Sequence, residues 1–107
     1  MTKETSHSTK EGPCPIEAVL EIIGQKWVPL IIRDLAENKL RFGELQQSLG
    51  VSPRVLSARL QSMEVQHLVH REVFAEVPPH TEYSLTERGR LLIPLIEEMR
   101  RVGKKFV

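Results

Sequence analysis

Apolar residues recur along this chain in two rhythms, and the change from one to the other marks its parts. Ile16, Val19, Leu20 and Ile23 stand at helical spacing behind Pro15, whose missing N–H is harmless in a first turn, and Gly24 follows as a stop. A second helix is expected over about residues 26–38. Its apolar face carries Trp27, Leu30, Ile31 and Leu35, and Pro29 is tolerable only because it falls in the first turn. Leu40, Arg41 and Phe42 read as a short extended piece, an edge strand at most. Phe42, Leu45 and Leu49 then mark a short helix that Gly50 terminates. Ser52 caps the next helix, Pro53 takes its first position, and Leu56, Leu60 and Met63 face inward with Val55.

After His67 and Leu68 the period shortens. Val69, Arg71, Val73 and Ala75 alternate with polar residues, Pro78-Pro79 interrupts, and residues 81–85 are strand-like again. Two strands around a Pro-rich tip make a β-hairpin. Thr86 caps a final helix whose stripe is Leu91, Leu92, Leu95, Ile96, Met99 and Val102, with a kink expected at Pro94. Residues 1–12 are polar and aperiodic and read as a disordered tail. A single domain over residues 13–107 follows.

The order helix, helix, short strand, helix, helix, hairpin, helix is the plan of a winged helix-turn-helix: mainly α, with a small β-hairpin as the wing. In that plan the helix from Ser52 to about Gln66 is the recognition helix. Pro53, Arg54, Ser57, Ala58 and Gln61 lie on its outward face, small or polar near the N-terminus as entry into a major groove requires. The same pattern also suits a surface helix, or a winged helix used as a protein-interaction module.

Charge sharpens the choice. The net charge of +1 is uninformative, but residues 39–71 hold Lys39, Arg41, Arg54, Arg59 and Arg71 against only Glu44 and Glu64. Positive charge focused on that segment is the footprint of a surface meeting DNA phosphates. With Ser52, and with His80 at the wing tip, Arg41 and Arg59 complete the expected set of contact residues.

Composition bounds the rest. A chain of 107 residues that is 40 % hydrophobic builds a small core that gains from burial against a second subunit. No apolar run approaches the roughly 18–20 residues of a membrane span, and no leader opens the chain, so a cytoplasmic protein that meets no membrane is expected. Cys14, the single cysteine, can form no internal disulfide. His67 and His70 have no carboxylate or thiol placed with them, and the adjacent Glu97 and Glu98 point apart on their helix. Neither a metal site nor an enzyme is expected, and no cofactor.

Several fragments together resemble the HxlR-type regulators. These are Cys14-Pro15, Gly24 with Lys26-Trp27, Arg41-Phe42 with Glu44-Leu45, and Leu56-Ser57 with Arg59-Leu60. Leu68-Val69 with Arg71, the run Glu76-Val77-Pro78-Pro79, and Glu82-Tyr83-Ser84-Leu85-Thr86 with Gly89 continue the match. It spans about residues 13–102. The resemblance implies a dimeric transcriptional regulator whose first and last helices form the subunit interface, binding a pseudo-palindromic operator in double-stranded DNA. His67 stands where the family usually has a helix-closing glycine, and His80 where arginine is common, implying a weaker or pH-sensitive wing contact. Val102-Gly103 replaces a frequent Trp-Gly. In several such regulators a cysteine at the position of Cys14 senses electrophiles or oxidants. A thiol at a helix N-terminus is suited to that, although an inert packing role is the reading the residue favours.

Overall fold

The computed structural model describes residues 12–107, so the polar tail read over residues 1–12 lies, Gly12 apart, outside the described residues. Among the described residues six helices and three strands follow in order: α1 (Pro15–Ile23), α2 (Val28–Leu35), β1 (Leu40–Arg41), α3 (Phe42–Leu49), α4 (Pro53–Val65), β2 (Val69–Phe74), β3 (His80–Leu85), α5 (Glu87–Arg90) and α6 (Ile93–Gly103). The strands form one antiparallel sheet in the order β1-β3-β2. β1 is two residues long and still fixes the sheet to the helices, pairing Leu40 with Tyr83 and Arg41 with Glu82. The hairpin runs in register from Val69 opposite Leu85 to Phe74 opposite His80.

One core joins these parts. Val28, Ile31, Ile32 and Leu35 of α2 meet Leu45 of α3, Leu56, Leu60 and Met63 of α4, Leu68 just before β2, and Val69 and Tyr83 of the sheet, all buried. α2 supplies the centre because its apolar residues recur every three to four positions on one face. Asp34 ties the next element to it, accepting a hydrogen bond from the Ser48 hydroxyl of α3 at 2.6 Å.

Four expectations are corrected. The second helix begins at Val28, because Trp27 precedes it in a left-handed conformation (φ 80°) that no helix admits, with the Lys26 ammonium 5.1 Å from its ring centre. Val55 is 41 % exposed and not part of the inward face. It sits about 100° around α4 from Leu56, outside the stripe set by Leu56, Leu60 and Met63. The last helix is not one kinked rod but two pieces. Pro94 lies in the first turn of α6, its ring incompatible with a continuous helix through Arg90, and the chain turns at Leu91 and Leu92. Leu91, counted in the apolar stripe, is consequently 77 % exposed, whereas Leu92 is buried.

α1 and α6 contribute no fully buried residue. Val19, Ile22 and Ile23 of α1 and Ile93, Leu95 and Ile96 of α6 pack partly against the core, but Ile16, Leu20, Met99, Val102 and Phe106 are exposed. No helix among the described residues is long and apolar enough to cross a membrane.

Candidate nucleic-acid interface

The geometry of α4 is set at both ends. At its start Gly50 closes α3 in a left-handed conformation (φ 67°), and Ser52 turns the chain into the new helix. The Ser52 Oγ accepts a hydrogen bond from the Val55 N–H at 3.2 Å, leaving the hydroxyl proton to donate outward. Pro53 occupies the first helical turn at no hydrogen-bonding cost. Before it, Glu44 accepts from the Arg41 N–H at 2.7 Å and squares off the start of α3.

At the far end α4 is bolted to the wing. His67 takes φ 61°, the left-handed closing conformation that glycine adopts more readily, and the Leu68 N–H reaches back to the Met63 carbonyl at 2.8 Å. Thr86, which follows β3, donates its hydroxyl to the His67 carbonyl at 2.6 Å and accepts from the Gly89 N–H at 3.0 Å. The Arg88 Nε donates to the Gln66 carbonyl at 3.1 Å. Gly89 passes so close that a β-carbon there would lie 2.2 Å from the Leu68 carbonyl oxygen, which only glycine avoids. These contacts hold the end of α4 against the base of the hairpin and the start of α5.

Between them runs a groove of about 480 Å³ lined by Phe42, Ser57, Gln61, Glu64, Arg71, Thr81 and Tyr83. Arg54, Ser57, Ala58 and Gln61 are all exposed on the outer face of α4, as are Ser52 and Pro53 at its start. Arg41 borders the wing side together with Gly43, Gln47 and Pro79. Among the described residues Arg41, Arg54 and Arg71 form no ion pair, so their charge is free to meet an anion. Sequence reading counted Arg71 as charge but did not place it. Its position opposite Tyr83 on β3, on the same face of the sheet, brings it into the groove.

Two expected contact residues point elsewhere. Arg59 is half-buried and turned away from the outer face, its Nη1 donating to Gln25 Oε1 at 2.7 Å. Three residues after the buried Leu56, it lies only about 60° from it around the helix. His80 is not a free wing-tip cation. Its ring stacks on Phe74 with centroids 4.8 Å apart, Nδ1 is 3.5 Å from Glu76 and Nε2 3.2 Å from Glu82. The exposed end of the hairpin is Val77, not His80. On α6, a hydrogen bond from Arg101 holds the exposed Glu98 carboxyl below its ordinary value and raises the guanidinium in return; neither group belongs to the α4–wing face. Cys14 is the N-cap of α1, half-buried, with its carbonyl accepting from the Ala18 N–H at 3.0 Å.

Comparison with known proteins agrees with this arrangement. The chain is 39 % identical over 103 residues to YybR of Bacillus subtilis (strain 168), described as an HTH-type transcriptional regulator, covering 95 % of this chain and 82 % of that one. Among solved structures it is similar to the redox regulator HypR in its oxidised form (TM-score 0.79, 39 % identity, 86 % of this chain and 96 % of the other). A chain from Porphyromonas gingivalis W83, described as a MarR-family regulator, superposes with a TM-score of 0.84 at 33 % identity, over 88 % of this chain and 93 % of its own. The model of the HxlR-like helix-turn-helix family matches residues 22–107. The chain belongs to the HxlR-like helix-turn-helix family of transcriptional regulators.

Proposed function

We propose that this chain binds specific DNA sequences as a homodimer, with α4 in the major groove and the wing beside the adjacent backbone. One observation carries the reading. The outer face of α4 is exposed, small and polar, carries Arg54, and stands near Arg41 and Arg71, and none of these three arginines forms an ion pair among the described residues. Ser57, Ala58 and Gln61 are of a size to approach base edges, and Gln61 has the donor–acceptor pair that adenine presents. Arg41 and Arg71 flank them where phosphates would run, and Arg54 serves either a guanine edge or a phosphate.

The test is footprinting on the intergenic DNA beside the gene, followed by binding measured across salt concentrations. Removing a base contact costs about 1–3 kcal/mol at one operator position, whereas removing a phosphate contact weakens all sequences alike and lowers the salt slope by about one. Operator binding equal to wild type in Arg54→Ala, Ser57→Ala and Gln61→Ala overturns the assignment. Binding without any sequence preference favours the protein-interaction module instead.

The exposed apolar residues of α1 and α6 support pairing of two copies through these helices, which sets two half-sites about one helical turn apart. Sedimentation as a monomer at micromolar concentration contradicts it. Similarity to a redox regulator, together with Cys14 at the cap of α1, supports a response to a small electrophile or oxidant in the cytoplasm. Diamide or a quinone then releases the wild-type protein from its operator but not Cys14→Ser. Equal responses in both leave Cys14 as a packing residue.

A further inference from the structure

α4 carries two arginines, and helix geometry sends them in opposite directions. Arg54 stands outward beside Ser57 and Gln61. Arg59 reaches inward to the corner between α1 and α2, where its Nη1 donates to Gln25 Oε1 at 2.7 Å. Gln25 in turn uses its Nε2 to donate to the Glu21 carbonyl in the last turn of α1, at 3.3 Å. The backbone carbonyl of Gln25 accepts from the N–H of Val28, the first residue of α2, at 3.2 Å. Three hydrogen bonds in series therefore connect the recognition helix to the end of α1 and the start of α2.

Packing alone does not call for a guanidinium here. The Arg59 Nε is buried with no hydrogen-bond partner, a deficit that a methionine of similar reach would not carry. What arginine supplies, and an apolar residue does not, is the bond to Gln25. The corner it meets is the turn between the two helices, where Gly24 ends α1 and Trp27 follows at φ 80°. Beside this corner, Ala18, Glu21, Ile22 and Gln25 line a depression with Gln66 and Arg88. Gln25 lines that same depression, so the Arg59–Gln25 bond lies where α4 comes nearest the end of α1.

We propose that Arg59 and Gln25 form a positioning strut that sets the angle of the recognition helix relative to α1, so that sequence-specific binding depends on both residues although neither touches DNA. This rests on the DNA-binding reading above. A helix held at the wrong angle loses base contacts, which need fixed geometry, while contacts to phosphates tolerate the change. In a dimer joined through α1, the strut also relates each recognition helix to the interface.

The experiment uses the full chain with Arg59→Met, Gln25→Leu and the double variant Gln25→Glu/Arg59→Lys, which restores the link as an ion pair. Affinity is measured for the footprinted operator and for an unrelated duplex over a range of salt, and amide hydrogen exchange is followed without DNA. Each single variant is expected to lose about tenfold in operator affinity, the scale of one well-placed hydrogen bond. Affinity for the unrelated duplex and the salt slope stay unchanged, and the double variant recovers operator binding. Exchange rises in residues 21–28 and in α4 but not in the hairpin. Equal losses on both duplexes with a lower salt slope make Arg59 a phosphate contact and overturn the proposal, and so does unchanged operator binding. If the wild-type protein prefers no duplex, the DNA-binding reading fails by itself. Hydrogen exchange then decides the strut, faster exchange in residues 21–28 upholding it and unchanged exchange refuting it. Should Arg59→Met not fold, Gln25→Leu, at a half-buried position, carries the same comparison.

Discussion

Two halves of this molecule are made from the same material, apolar residues at helical spacing, and they reach different ends. In the half formed by α2, α3, α4 and the sheet, the apolar stripes meet one another. Ile31, Ile32, Leu45 and Met63 have no exposed surface at all. In the half formed by α1 and α6 the stripes are as regular, yet no residue of either helix is fully buried, and Ile16 remains 71 % exposed. The first half buries its stripes within one chain and leaves the polar residues proposed to meet DNA outside the core. The second half has apolar surface left over, which the proposed dimer would cover. On the proposed reading, the core and the DNA-facing residues belong to one region and the surface for assembly to the other, with the Arg59–Gln25 bond between them.

The sharpest way to break this contrast is in the finished half. Leu60→Ala opens a cavity beneath the recognition helix, where Leu60 is 1 % exposed. A loss of about 2–5 kcal/mol is expected in denaturant unfolding. Gly89→Ala comes next. Its β-carbon would meet the Leu68 carbonyl, so the joint between α4 and the wing must shift, and overpacking of this kind costs about 1–3 kcal/mol. Hydrogen exchange of the Leu68 and Thr86 amides should accelerate before that of α2. Ser52→Ala removes only the cap of α4, about 1 kcal/mol by thermal unfolding.

In the unfinished half the effect on folding is expected to be smallest. Ile16→Ser with Leu20→Ser should leave unfolding at low protein concentration within about 0.5 kcal/mol of wild type, since both residues are exposed in the single chain. Sedimentation should nevertheless shift towards monomer. If these substitutions unfold the protein as Leu60→Ala does, the two halves are not independent and the contrast drawn here is wrong.

Much of the winged-helix plan was legible because each boundary has a local cause. Ser52 and Pro53 announce α4, Gly50 ends α3, Thr86 begins α5, and the period of two from Val69 onward declares the hairpin. The outward set Arg54, Ser57, Ala58 and Gln61 follows from the same helical period once Leu56 and Leu60 are assigned inward. Arg59 was misplaced because its charge was weighed above its angle. A long side chain on the flank of a core stripe can run either way, and the Gln25 amide, 34 residues earlier in the chain, decides the direction. Likewise His80 was read as a weak or pH-sensitive contact at the wing tip, although strand pairing places it opposite Phe74 and two residues from Glu82.

By itself, then, the sequence determined which segments are helix or strand, most of their boundaries and most of their apolar positions, but not the start of α2 at Val28 or the break between α5 and α6. Those properties depend on neighbours within about one or two turns, and the signals for them are written at the positions concerned. Tertiary structure alone decided the direction of Arg59, the enclosure of His80 between two carboxylates, and the exposure of Leu91. It also decided the bolt of Thr86, Arg88 and Gly89 that holds the wing to α4. Each of these depends on a partner supplied from another part of the chain, and no local period specifies which partner arrives.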